Sequence, residues 1–347
     1  MTSAADLSRP DTMVITGASG WLGQNLVRAV ASEREAVRCL VRSDEEAALL
    51  GVIGPSVQAV VGDVRDPTAL DRLLDGAAGA TVVHAAAIIH PDERVQELHD
   101  VNVGGTQLVL DRVKRHGAGR LVHISSNSPY GANPTPDHCF TEASPQHPYM
   151  GYGRSKADAE VLVKTAFERG DVESVVLRPP WFYGPHQPAR QTQWIRTVRR
   201  GRFPLVGDGA NRRSMVFTGN LVHGVLRAEV AAGAAGKQYW IADGDPLDMR
   251  QIIATVREAL EAEGLPVSGS RQLRLPRLAG VVAEHLDGFL QGRGRYLQAV
   301  HVLGELKDTI ACDISLARTE LGYDPPTDLL EGMRASIRWC VERGQQL

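Results

Sequence analysis

The sequence predicts an α/β fold, a doubly wound parallel sheet with a smaller, mainly C-terminal α+β part. Three observations predict it. Short apolar runs alternate with stretches of helical periodicity through the first half of the chain. A glycine-rich turn, Thr16-Gly17-Ala18-Ser19-Gly20-Trp21-Leu22-Gly23, ends the first run and opens the first helical stretch. Polar turns and a Ser-Ser pair fall at the carboxyl ends of the runs, the rim at which an open parallel sheet binds its ligand. The reading divides the chain into a sheet domain over residues 1–180, completed by about 214–242, and a substrate-binding region over 181–347.

Met13-Val14-Ile15 is the first strand, and Leu22, Leu26, Val27 and Val30 recur at helical spacing after the turn. Strand, glycine turn and helix together form a phosphate cradle. Glycines let the backbone approach a pyrophosphate, whose charge sits at the positive end of the helix. Residues 36–41 read as the second strand, after which a dinucleotide fold places the group that reads the ribose. Arg42 stands there and favours a 2′-phosphate, hence NADP over NAD, although Asp44-Glu45-Glu46 follow at once; they are expected to open the next helix pointing largely to solvent. The plainer reading of Arg42 is a solvated strand end.

Val57 to Val61 is the third strand, leading to Gly62-Asp63-Val64. Asp63 either accepts from an adenine amino group or caps the helix opening at Pro67. Thr81 to His84 is the fourth strand; Ala85, Ala86 and Ala87 after it leave room for a cofactor, and His84 reads as a satisfied core histidine. One long helical region spans Asp92 to His116, with Asn102 and the Gly104-Gly105 pair inside it. Arg120 to Ile124 is strand five, ending at Ser125-Ser126; a helix from Tyr149 to Arg169 and a strand over 171–178 follow. Beyond Pro179 prolines and glycines punctuate short elements. A helix near Asn220 to Ala231, a strand from Gln238 to Ala242 and helices at 248–263, 276–290 and 328–343 complete the chain.

Tyr152 and Lys156 stand four residues apart, on one face of their helix. A phenol ionises near ~10, so it is a poor base at neutral pH unless a cation stabilises the phenolate by ~4 kcal/mol relative to the neutral form. Lys156 is placed to supply that cation. The bland alternative is a surface helix pair.

Composition bounds the function. The chain has 347 residues, 43% hydrophobic and 23% charged, and its net charge of −3 argues against a nucleic-acid surface. Cys39, Cys139, Cys312 and Cys340 have no paired spacing, so neither a disulfide framework nor a metal site is expected, and a reducing cytoplasm fits. Residues 1–11 read as a disordered start rather than a signal peptide, and no uncharged run is long enough to span a membrane.

In order, the turn at Thr16 to Gly23, Asp63-Val64, His84-Ala85-Ala86, Asn102 to Thr106, Ser125-Ser126, Tyr152 to Lys156, Arg178-Pro179 and Tyr183-Gly184-Pro185 spell a known pattern. The chain resembles the extended short-chain dehydrogenase/reductase superfamily, which includes the NAD-dependent epimerases and dehydratases, over nearly its whole length. The resemblance implies a Rossmann-type sheet. It also implies Tyr152 as general acid/base, Lys156 on the nicotinamide ribose, and Ser126, four residues before Tyr130-Gly131, on the reacting oxygen, with Ser125 as the alternative. Gly17, Ser19, Gly20, Trp21, Leu22, Gly23, Arg42, Asp63, Val64, Ala85, Ala86, Ala87, Asn102 and Pro179 become the remaining cofactor-binding positions. Related enzymes are often dimers through a helix bundle, so a homodimer is the implied oligomer.

Two places bear on the substrate. Nucleotide-sugar enzymes usually carry Asn three residues after the strand-six Arg, whereas this chain has Trp181. Arg213 to Gly224 looks like the matching segment of 3β-hydroxysteroid and sterol-4-carboxylate dehydrogenases, with Asn220 where sugar enzymes more often have Asp. Trp181 equally suits a core, and Arg213 equally suits a sugar nucleotide's phosphate. The expectation is an NAD(P)-dependent oxidoreductase interconverting a secondary alcohol and a ketone on a hydrophobic steroid-like, polyketide-like or β-keto acid substrate. The alternatives are a nucleotide-sugar epimerase or dehydratase that returns the hydride at the same site, and a non-catalytic NADP-binding sensor.

Overall fold

The computed structural model describes residues 7–91, 94–268 and 273–347. Six strands and six helices alternate first: β1 Thr12–Thr16, α1 Trp21–Val30, β2 Ala36–Val41, α2 Asp44–Gly51, β3 Val57–Val61, α3 Pro67–Leu74, β4 Thr81–His84, α4 Gln96–His99, α5 Gly105–His116, β5 Arg120–Ile124, α6 Met150–Glu168 and β6 Glu173–Arg178. Shorter pieces follow: β7 Trp181–Tyr183, α7 Ala189–Arg199, β8 Leu205–Val206, β9 Arg212–Arg213, β10 Met215–Phe217, α8 Thr218–Val230, β11 Gln238–Trp240, β12 Leu247–Asp248, α9 Met249–Ala262, β13 Arg274–Leu275, α10 Arg277–Gln291, α11 Gln298–Glu305 and α12 Leu329–Glu342.

The main sheet has seven parallel strands in the order β11-β6-β5-β4-β1-β2-β3. Both faces are covered, so alternate residues of one strand enter different cores. Met13 and Ile15 of β1 pack with α1 and α8, while Val14 packs with α3, α5 and α6. The order reverses between β1 and β4, and there the carboxyl ends diverge to leave a crevice. A further core joins α7, α9 and α12. Residues 312–323 return from that region to the first core through Cys312, Ile314, Ala317, Leu321 and Tyr323.

Several expectations change. The helical region from Asp92 to His116 is broken into α4, a π-helical turn over Asp100–Gly104, and α5; positions 92 and 93 lie outside the described residues, as does most of the expected disordered start. The π-turn sets Asn102 inward, a use to which such turns are commonly put. Gly105 answers to close packing, since a Cβ there would stand 2.8 Å from a Val64 methyl. Helices α7 and α11 were not anticipated. Pro188 precedes α7 as its cap residue, a start signal that the prolines around it hid.

Candidate active site

The crevice at the carboxyl ends of β1, β2, β3 and β4 has a volume of about 630 Å³. Gly17, Ser19, Gly20, Arg42, Asp63, Val64, Ala85, Ala86 and Ala87 all line it. The backbone explains the glycines. Gly17 has φ +72°, and a Cβ on it would stand 2.7 Å from the Ala86 nitrogen, so this turn admits only glycine. A Cβ on Gly20 would meet the Gly17 oxygen at a tight 3.1 Å and nothing else within 4 Å, and Gly20 lines the crevice. The first turn of α1 has neither a side-chain cap nor an acidic residue, which leaves its N–H groups for an anion. These residues fit a dinucleotide pyrophosphate.

Not every anticipated cofactor residue faces the crevice. The Trp21 indole donates to the carbonyls of Gly184 at 3.2 Å and Pro185 at 2.9 Å, and its ring meets Phe182, so it ties the turn to the chain beyond β7. Leu22 is core, and Gly23 lets α1 approach the turn: a Cβ there would lie 2.2 Å from the Gly17 oxygen. Asn102 is buried, bonded to both backbone polar groups of Ile88 and to the Ser155 hydroxyl, each at 2.9 Å; it fixes the loop after β4. Pro179 is buried. Asp63 does not cap α3, a task performed by Asp66; it forms a two-pronged pair with Arg65 at 2.8 Å, and Arg65 also lines the crevice.

Glu46 departs from expectation. Its side chain is 19% exposed and accepts from the Ser19 hydroxyl at 2.7 Å, the Arg42 backbone N–H at 2.8 Å and the Arg42 guanidinium at 2.7 Å. The cause is local. Ser43 caps α2, which sets Glu46 in the third helical position, and a Glu there reaches back over the helix start.

At the end of β5, α6 contributes Tyr152 and Lys156. Met150, in its first turn, has φ +51°, a strained conformation of the kind that gathers at functional sites. Tyr152 is half-buried. Burial pushes its pKa up to about 12, and the Ser126 hydroxyl and the Arg190 guanidinium pull the other way. The Lys156 ammonium, also buried, donates to the Ile124 carbonyl at 2.7 Å, and desolvation lowers its pKa to about 8. Lys156 thus spends one of its N–H groups on Ile124, and the Arg190 guanidinium is a cation that lowers the Tyr152 pKa against the effect of burial. Ser125 is consumed by Glu160, the buried partner of Arg178, which leaves Ser126 as the serine beside Tyr152. His84 is satisfied by Thr16 at 2.7 Å and Thr106 at 3.0 Å.

The two anticipated substrate residues are engaged by other protein groups. Trp181 packs edge-on to Trp194 at 4.8 Å and donates to Gln191 at 3.3 Å. Arg213 is buried, and its guanidinium donates to the Glu305 carbonyl at the end of α11. Residues that were not anticipated gather near the start of α6. His90 hydrogen-bonds the Tyr296 hydroxyl, both rings meet His301, and Tyr149 stacks obliquely on His301 at 5.2 Å. Arg190, in the first turn of α7, acts electrostatically on Tyr152, Tyr296 and His90. Buried Asp287 links this cluster to the site: it bonds His301 at 2.8 Å and Gln291 at 3.0 Å, and Gln291 accepts the Gly151 N–H at 3.1 Å. These residues come from the β4–α4 loop, the starts of α6 and α7, and the α10–α11 region, so no local motif marks them.

The profile of the NAD dependent epimerase/dehydratase family matches residues 13–242. The chain belongs to this family. It is thus an NAD(P)-dependent enzyme of the extended short-chain dehydrogenase/reductase type. Similar proteins include the 4-hydroxy-2-methyl-3-oxo-4-farnesyl-3,4-dihydroquinoline-1-oxide ketoreductase of Stigmatella aurantiaca, 32% identical over 95% of this chain and 97% of that one. The 2-alkyl-3-oxoalkanoate reductase of Stenotrophomonas maltophilia is 30% identical over 93% and 97% respectively. A dTDP-glucose 4,6-dehydratase of Streptomyces venezuelae, solved with NAD bound, superposes with a TM-score of 0.74 at 26% identity, covering 96% of this chain and 98% of that one.

Proposed function

We propose that this enzyme reduces a ketone on a hydrophobic steroid-like, polyketide-like or β-keto acid substrate, with NADPH as the preferred cofactor. The observation that carries the reading is the aromatic cluster of His90, Tyr149, Tyr296 and His301 next to the helix that bears Tyr152. The faces of these rings offer apolar area, while the polar edges of His90 and Tyr296 are engaged with one another and that of His301 with Asp287, which suits an alkyl or ring ketone. Two relatives whose names describe ketone reduction on farnesyl- and alkyl-bearing compounds support it. The four unpaired cysteines suit a cytoplasmic enzyme.

Gly17 and Gly20 with the start of α1 hold the pyrophosphate, and Arg42, at the rim, reads the 2′-phosphate. When bound, the cofactor supplies the hydride. Ser126 holds the substrate's carbonyl oxygen, and the Tyr152 hydroxyl donates its proton to that oxygen as negative charge develops there. A phenol kept neutral by burial is a suitable donor. Lys156 donates to the nicotinamide ribose with the N–H groups that Ile124 leaves free, and Arg190 stabilises the phenolate left behind.

A second reading keeps Tyr152 and returns the hydride, as a nucleotide-sugar dehydratase or epimerase; the likeness to the dTDP-glucose 4,6-dehydratase favours it. Following reduced-nicotinamide absorbance against β-keto acids, steroid-like ketones and sugar nucleotides separates the two. Net oxidation of NADPH by an apolar ketone supports the reductase. Turnover of a sugar nucleotide with no net change in nicotinamide overturns it.

A further inference from the structure

Helix α10 is built inside out. Its buried positions are Gly280, Ala283 and Asp287, while Leu278, Val282, Leu286 and Phe289 are 68, 58, 46 and 55% exposed. Spaced by four, four and three residues, these four form one stripe, widened by Val281 and His285. By contrast, α9 turns Ile252, Ile253, Val256 and Leu260 inward, as a surface helix normally does. Leu297 and Val302, which begin and follow into α11, add exposed apolar area nearby.

The charge around the stripe has one sign. Exposed Arg274 and Arg277 stand at the start of α10, and exposed Arg293 and Arg295 just past its end. Among the described residues none of the four is in an ion pair. The two carboxylates of the helix are turned away: Asp287 is buried against His301, and Glu284 pairs with Lys307 at 2.9 Å. The Arg293 guanidinium lies 3.6 Å over the Phe289 ring, so cation and aromatic share one edge of the stripe.

We propose that the outward face of α10 docks on an anionic lipid bilayer. A helix lying in the headgroup plane requires an apolar arc along its length with cations beside it, and α10 has both. A second copy of the chain is a poorer occupant. Two-fold pairing of this face would bring the arginines at one end of the helix against those of the other copy, with no carboxylate between them. The inner face of the docked helix carries Asp287 and Gln291, so the element that meets the lipid also holds the start of α6 beside Tyr152. Docking does not depend on which substrate the enzyme reduces, and its test uses no substrate.

The test is flotation of the purified full chain with vesicles of phosphatidylcholine alone or mixed with phosphatidylglycerol, at about 0.1 M salt. The expected result is binding to the mixed vesicles, little to the neutral ones, and release as salt rises. The double substitution Leu286→Glu with Phe289→Glu should lower the bound fraction at least ~tenfold while cofactor affinity and melting temperature stay unchanged, the apolar contact area being lost. Arg293→Ser with Arg295→Ser should lower the salt needed for release. If the first pair of substitutions unfolds the chain, wild-type lipid preference and salt release still decide. Three results overturn the proposal: no vesicle binding, equal binding to both lipids, or a lipid-free dimer that Leu286→Glu with Phe289→Glu turns into monomers.

Discussion

Glu46→Gln should strengthen NADPH binding relative to NADH, because Glu46 holds Arg42, the group proposed to read the 2′-phosphate. The Arg42 side chain is 78% exposed, and its guanidinium meets Glu46 at 2.7 and 3.1 Å. An exposed pair at this i,i+4 spacing contributes ~0.3–0.5 kcal/mol, whereas a charge-assisted contact to a phosphate contributes roughly 1.5–3 kcal/mol. Arg42 should therefore exchange Glu46 for the 2′-phosphate with a net gain above ~1 kcal/mol, about fivefold or more in affinity. The carboxylate left behind still repels the phosphate. At a surface dielectric that repulsion is of order 1 kcal/mol, so neutralising Glu46 should tighten NADPH binding roughly fivefold and leave NADH nearly unchanged. Arg42→Asp loses the contact and adds a charge, and should reverse the preference. Dissociation constants for both cofactors, from fluorescence titration at fixed ionic strength, measure the ratio. A wild-type enzyme that strongly prefers NADH, with that ratio unmoved by either substitution, refutes the reasoning and leaves Arg42 as a solvated strand end.

Three further outcomes are expected. Tyr152→Phe should lower turnover by at least about a hundredfold with cofactor affinity nearly intact, whereas Lys156→Ala should weaken cofactor binding as well; wild-type-like turnover in the first, or an unchanged cofactor dissociation constant in the second, would count against these roles. Gly20→Val should abolish dinucleotide binding in a folded chain, because its side chain enters the crevice, while Gly23→Val should unfold it, because its Cβ would meet backbone at 2.2 Å; thermal melts with cofactor titration separate the two. Burial lowers the pKa of His301, but the Asp287 hydrogen bond and the charges of Glu305 and Asp287 outweigh it, and the value stands above the ordinary one. A raised folded pKa gives stability that is complete below the unfolded value near ~6.5 and is lost as pH rises through the folded value. The melting-temperature advantage over His301→Gln should accordingly shrink from about pH 6 upward, and an advantage independent of pH would falsify the ion pair.

Sequence reading works where a local rule operates and fails where contacts come from far along the chain. Most strands were legible because β1, β2, β4, β5 and β6 are largely buried apolar runs, and the turn because Gly17 has a backbone that only glycine tolerates. The i,i+4 spacing put Tyr152 and Lys156 on one helix face. It did not reveal that Lys156 would spend a hydrogen bond on Ile124, nor that the guanidinium of Arg190, distant in sequence, would lower the Tyr152 pKa. Glu46 was misread as solvated because the Ser43 cap that turns it inward was overlooked. His90, Tyr296 and His301 come together from the β4–α4 loop and the α10–α11 region, for which neither periodicity nor spacing gives a signal.

The fate of the hydride tests the central claim most directly. NADPH carrying deuterium at the transferred position is incubated with the enzyme and an apolar β-keto substrate, and the products are analysed by mass spectrometry and proton NMR. Reduction places one deuterium on the carbinol carbon of the product alcohol for each NADP formed. Loss of this transfer, together with turnover of a sugar nucleotide in which the label stays on enzyme-bound nicotinamide, would contradict the claim and establish hydride return.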